Sequence, residues 1–181
     1  ENSVWCWAAT SRMFARYYYS SVSLTQSQAA TYVKGPDSLH GGTLEEAQMA
    51  INYYISNISG ASIETEIKNL EIYSENSLIT FVDLGHVVYV SKGKYLYQNG
   101  SYGRNGGHAF LVYGYVTKGS DILFLIHDPW PADQGQTYMI SYEKLCYEQA
   151  DSDTNYDYVW DGCIVKSTSI SDQTIPYYFE Q

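Results

Sequence analysis

Three side chains in this sequence have the chemistry of a nucleophilic site. Cys6 sits between two tryptophans, in Trp5-Cys6-Trp7-Ala8-Ala9, directly ahead of a helix-forming run. Sulfur attacks as the thiolate, and a helix N-terminus favours the thiolate through its aligned peptide dipoles and uncommitted N–H groups. His108 follows Gly106-Gly107 and opens a strongly apolar stretch, Ala109-Phe110-Leu111-Val112-Tyr113. Glycines there leave room beside an imidazole for a nucleophile and a substrate backbone. Asp128 closes the next apolar stretch, in Ile126-His127-Asp128-Pro129-Trp130. Two strands joined by a turn around Gly119 bring His108 and Asp128 together at one end of a sheet. That supplies a base and a group to orient it.

Each of the three has a rival. A cysteine between tryptophans, taken alone, is more often a packed hydrophobe than a nucleophile. His86, in Gly85-His86-Val87-Val88-Tyr89-Val90, imitates the His108 segment, but no Asp-Pro-Trp follows it at a comparable distance. His127 neighbours Asp128, so on a strand the two point to opposite faces and His127 reads as structural. His40 lies in a glycine-rich loop without a clear partner, and Asp133 is a second choice for the role given to Asp128. No CxxC or HExxH spacing is present, so no metal and no cofactor are expected.

The elements that position these residues change type along the chain. Apolar residues recur at helical spacing from Trp7 to Tyr18, with Asn2 or Ser3 as caps. Thr25 with Gln28 and Thr43 with Glu46 are capping boxes that open two further helices, and Ser62 to Leu70 reads as a weaker fourth. After about Ser74 the period falls to two. Strands are expected at 78–82, 87–90, 95–97, 108–116, 122–128, 136–141 and 160–165, punctuated by Gly- and Asn-rich turns. Helices first and antiparallel strands after indicate an α+β fold, with residues 1–74 as a helical lobe and 75–181 as a β lobe of one domain.

Taken in order, WCWAA, GHAFLVYGY and IHDPWP resemble the papain-like cysteine peptidases, and most of all the compact bacterial branch of staphopains and double-glycine leader peptidases. The resemblance spans Glu1 to about Tyr142. It implies a helical lobe packed on an antiparallel sheet lobe, with the active-site cleft between them. It also implies Cys6 as nucleophile, His108 as general base and acid, and Asp128 as the residue orienting the imidazole. Trp130 matches the family tryptophan that shields the third member's hydrogen bond. The family's oxyanion-hole glutamine stands six residues before the cysteine, a position that would precede Glu1, so it is absent from this sequence.

Composition narrows the function further. Twenty acidic against ten basic residues give a net charge of −10, which repels nucleic acid. No run of about 18 apolar residues is present, so no membrane span is expected. Cys6, Cys146 and Cys163 make an odd count, which in an exported protein fits one reactive thiol and one disulfide. Cys146 and Cys163 can pair across the acidic stretch Asp151–Asp157, or stay thiols in a reducing compartment. The expectation is an extracellular, monomeric cysteine endopeptidase acting on protein or peptide through a thioester acyl-enzyme. Two alternatives stand beside it: acyl transfer of the transglutaminase or amidase kind, and a peptide-binding relative with weakened catalysis.

Overall fold

The structure is a computed structural model that describes residues 4–69, 71–99, 101–149, 156–168 and 174–176. Three helices come first: α1 (Cys6–Tyr18), α2 (Gln26–Lys34) and α3 (Leu44–Ser56). Both capping boxes form. Thr25 accepts from the Gln28 N–H and Thr43 from the Glu46 N–H, and each N3 side chain bonds back to the cap N–H. Helix α1 differs from the sequence expectation. Its N-cap is Trp5, whose side chain caps nothing, and Asn2 and Ser3 lie outside the described residues.

Beyond α3 come β1 (Thr65–Asn69), β2 (Glu71–Tyr73), α4 (Glu75–Asp83), β3 (Val88–Gln98), β4 (Ser101–Lys118), β5 (Asp121–Asp128) and β6 (Gln136–Ser141). They are followed by α5 (Tyr142–Cys146), β7 (Tyr147–Gln149), β8 (Tyr156–Lys166) and β9 (Thr174–Pro176). One antiparallel sheet runs in the order β1-β8-β3-β4-β5-β6, with β7 also pairing β8, while β2 and β9 form a separate pair. The fold is therefore α+β, with a helical N-terminal part and an antiparallel sheet.

Two local readings of the sequence are overturned. Residues 65–69, within the stretch expected to be helical, form strand β1 against β8, with Ile67 opposite Ile164. Residues 75–83, which include the stretch 78–82 expected to be a strand, form helix α4. Ser74 accepts from the Ser77 N–H at its start, and only Leu78 and Phe81, three residues apart, are fully buried. A run of apolar residues at 78–82 fits a buried strand and one turn of helix equally well, so the cap decides.

Both faces of the sheet are covered. Tyr89, Ala109, Leu111 and Ile164 pack with Phe14, Ala47, Ile51 and Tyr54 of the N-terminal helices. The alternate positions Val88, Val90, Phe110, Val112, Cys163 and Val165 pack with Leu78 and Phe81 of α4 and Leu145 of α5. This strict alternation follows the two-residue period of a strand. It also explains why the central strands read as unbroken apolar runs: each is buried on both sides.

Candidate active site

Helix α1 brings Cys6 to the sheet. Cys6 is its first residue, and the first bond along the helix is the Ala9 N–H donating to the Trp5 carbonyl at 2.9 Å. The N–H groups of Cys6, Trp7 and Ala8 therefore precede the intrahelical ladder, at the positive end of a 13-residue helix with no acidic side chain in its first turn. One turn further on, the buried Thr10 hydroxyl donates to the Ala109 carbonyl at 2.9 Å. Residues four apart share a helix face. Thr10 thus fastens the Cys6 face of α1 to the residue that follows His108. Ser11 secures the other side, donating to the Ala47 carbonyl of α3 at 3.0 Å.

Antiparallel pairing of β4 with β5 sets Leu111 opposite His127 and Val112 opposite Ile126, so the middle of β4, where His108 lies, comes beside the end of β5. His108 Nε2 and Asp128 Oδ1 are 2.6 Å apart. The Cys6 thiol also acts on this ring, and both residues line one cavity. Since Nε2 is taken by the carboxylate, Nδ1 is left for sulfur. Burial alone would lower the His108 pKa. The bonds to Asp128 and Cys6 and the charges of both outweigh it, and the pKa is raised to about 9. Cys6, His108 and Asp128 are brought together, with the imidazole in the middle.

Asp128 is itself held. It is buried, and besides His108 it accepts from the Trp130 backbone N–H at 2.8 Å and from the Tyr138 hydroxyl at 3.0 Å. Burial, then the Asp128 charge, raises the Tyr138 pKa well above the usual phenol range, so Tyr138 stays a donor. Trp130 reaches Asp128 through its main chain, and its ring is 48% exposed. Tyr138 escaped the sequence reading. Its only signal is alternation along β6, which sets Tyr138 opposite Ile126, two residues from Asp128.

The remaining sequence candidates fall elsewhere. His86 lies between α4 and β3, packed on Phe81 and Tyr18, and burial, then Lys166, lowers its pKa. His127 is exposed on the opposite face from Asp128, against the Tyr113 ring. His40 is exposed in the loop before α3. Asp133 occupies an exposed turn with φ 67°, while Asp128 takes the imidazole. No disulfide joins Cys146 and Cys163. Tyr147 pairs with Val159, so Cys146 is level with Trp160, three residues along the strand from Cys163. That offset is about 10 Å at the rise of a strand, beyond the reach of a disulfide. Among the described residues no cluster of His, Cys, Asp or Glu is arranged to hold a metal ion, and no helix is long and apolar enough to cross a membrane.

A cavity of about 760 Å³ opens beside Cys6 and His108, walled by α1, the 41–45 loop and strands β3, β4 and β8. Trp7 forms part of the wall under Gly42, where any Cβ would collide with the indole. The arrangement can hold a polar chain in this cavity, generate a thiolate at a helix N-terminus, and deliver a proton from an imidazolium beside it.

The Peptidase_C39 like family matches residues 1–155, and the chain belongs to that family, which makes it a member of a cysteine peptidase family. A comparison with curated proteins gave no match.

Proposed function

We propose that this member of the Peptidase_C39 like family is a cysteine endopeptidase in which Cys6, His108 and Asp128 form a papain-like catalytic set. The observation that carries this reading is the placement of one imidazole between a buried carboxylate, 2.6 Å away, and a thiol at a helix N-terminus. The reaction runs through a thiolate–imidazolium pair of Cys6 and His108. Each charge stabilises the other, and the helix dipole adds to the thiolate.

The thiolate sulfur attacks the peptide carbonyl carbon, and the carbonyl electrons move onto oxygen. The Cys6 backbone N–H is placed to donate to that oxyanion. His108 then gives its proton to the leaving amine as the C–N bond breaks, leaving a thioester and a neutral imidazole. Water loses a proton to His108 and attacks the thioester carbon. Collapse of the second tetrahedral intermediate releases the carboxylic acid and restores the ion pair. Asp128, fixed by Trp130 and Tyr138, holds the Nε2–H tautomer throughout and turns Nδ1 to sulfur.

The test is proteolysis of unfolded protein read by mass spectrometry. The wild-type chain is expected to give new peptide termini that the Cys6→Ala protein does not. Equal product from both, or product only in the presence of an added amine acceptor, contradicts hydrolysis by Cys6.

A further inference from the structure

The cavity beside Cys6 has a charged wall that catalysis does not use. Asp161 of β8 is buried there, and both of its oxygens are engaged by the protein. Oδ1 takes the Ser91 hydroxyl at 2.8 Å; Oδ2 takes Arg104 Nε at 2.7 Å and the Tyr95 hydroxyl at 3.1 Å. Burial, then the charge of Asp161, raises Tyr95 to about 12, so it remains a phenol donor.

Arg104 is the opposite case. Its side chain is 45% exposed and lines the cavity. Of its five N–H donors, Nε is committed to Asp161 and Nη2 makes one long bond of 3.4 Å to Ser91, while the Tyr95 hydroxyl lies against the same edge of the group. Among the described residues no protein acceptor takes Nη1. The guanidinium is therefore anchored by one edge and open on the other, a geometry suited to a planar two-oxygen acceptor.

The backbone makes room for this pair. A Cβ on Gly93 would collide with the Asp161 carboxylate, and one on Gly107 would lie 2.8 Å from Arg104 Nη2 and 3.0 Å from the Lys92 carbonyl. The glycine before His108 thus clears space for a guanidinium as well as for the imidazole. Among the described residues, Arg104 is, apart from His108, the sole cationic side chain on the cavity wall, which also carries the exposed Glu45.

We infer that Arg104, pre-positioned by Asp161, binds the carboxylate of a Glu or Asp side chain flanking the scissile bond, so that the enzyme selects an isolated acidic residue at one substrate position. The inference rests on the peptidase reading for its substrate class. The acidic surface, at net charge −10, disfavours strongly acidic peptides, so a single carboxylate in a neutral or basic segment is the fitting ligand.

The test uses the Cys6→Ala protein and capped pentapeptides in which one Glu, or a Gln in its place, is walked through every position, with binding measured by calorimetry. At one position Glu is expected to bind about tenfold more tightly than Gln, as a charge-assisted bond requires. Arg104→Met with Asp161→Asn removes both charges together, so no buried carboxylate is stranded, and should erase the preference while the Gln peptide still binds. Arg104→Lys keeps the charge but not the fork, and should retain only a small part of it. Four results overturn the inference: tighter binding of a Lys peptide at that position, a Glu preference that survives the double substitution, no preference at any position, or no binding of any peptide. Activity separates the two claims. A wild-type chain that cleaves nothing while the Glu preference stands sinks the peptidase reading alone. One that cleaves without the preference sinks only the role of Arg104.

Discussion

Cys6 and Cys146 are both half-buried thiols, yet the protein places them in opposite surroundings. Cys6 begins a 13-residue helix, neighbours an imidazole and opens on a cavity. Cys146 ends the five-residue helix α5 and packs against the apolar layer on the far side of the sheet. Burial pushes Cys146 up to about 11, against the pull of the Tyr142 hydroxyl and Lys92. Residue type and burial class match, so on the proposed reading a neighbouring acid–base group and a helix N-terminus would separate a nucleophile from a packing atom. Cysteine count alone could not separate them.

The sharpest way to break the contrast is to remove the imidazole. His108→Ala should lower kcat/KM by about 10³-fold or more, because base, acid and ion-pair partner vanish together. Steady-state hydrolysis of a peptide that the wild type cleaves checks this. A loss under tenfold would return Cys6 to the class of Cys146.

Asp128→Asn is expected to cost about 10²-fold through misorientation of the ring. It should also shift the pH profile. The imidazolium is stabilised in the folded protein, its pKa raised to about 9 against 6.5 for a free side chain. Activity that needs the imidazolium therefore persists until pH approaches 9 and falls above it. Asp128→Asn should move that alkaline limb toward 6.5. The same sign governs folding: the stability contributed by His108 is fully present below about 6.5 and fades as pH rises through 9. A limb that stays in place in the variant would show that Asp128 does not set the His108 charge.

Thr10→Val tests positioning alone. It keeps the shape of a buried side chain but strands the Ala109 carbonyl, at a cost of about 1–3 kcal/mol. The expectation is a lower melting temperature and a several-fold loss of kcat with KM little changed; loss of stability with kcat intact would confine Thr10 to packing. The smallest effect belongs to Cys146→Ala, which should leave kcat/KM within twofold and lower stability by about 1 kcal/mol, measured by chemical denaturation. A marked loss of activity there would erase the difference between the two thiols.

The sequence carried the local signals well and the convergent ones poorly. Thr25/Gln28 and Thr43/Glu46 announce their helices because a capping box is a contact between residues three apart. Cys6, His108 and Asp128 could be named because Cys6 begins α1, Asp128 ends β5, and His108 opens the apolar part of β4 after two glycines. Strand β1 was hidden: Thr65-Glu66-Ile67-Lys68-Asn69 has weak alternation, and its strand state depends on pairing with β8, about a hundred residues later. Helix α4 was hidden by an apolar run of ambiguous period. The Ser91–Tyr95–Arg104–Asp161 cluster joins three strands across up to 70 positions, and its only trace in the sequence is two glycines, Gly93 and Gly107. Tyr138 likewise meets Asp128 only through the register of β5 and β6.

The central claim is that His108 and the α1 N-terminus make Cys6 the reactive nucleophile of this protein, and residue-resolved alkylation by iodoacetamide at pH 6 to 7 tests it most directly. The account predicts that Cys6 is labelled at least about 100-fold faster than Cys146 or Cys163, and that His108→Ala abolishes most of the advantage. Equal labelling of the three cysteines, or a His108→Ala protein whose Cys6 reacts as fast as in the wild type, would contradict it.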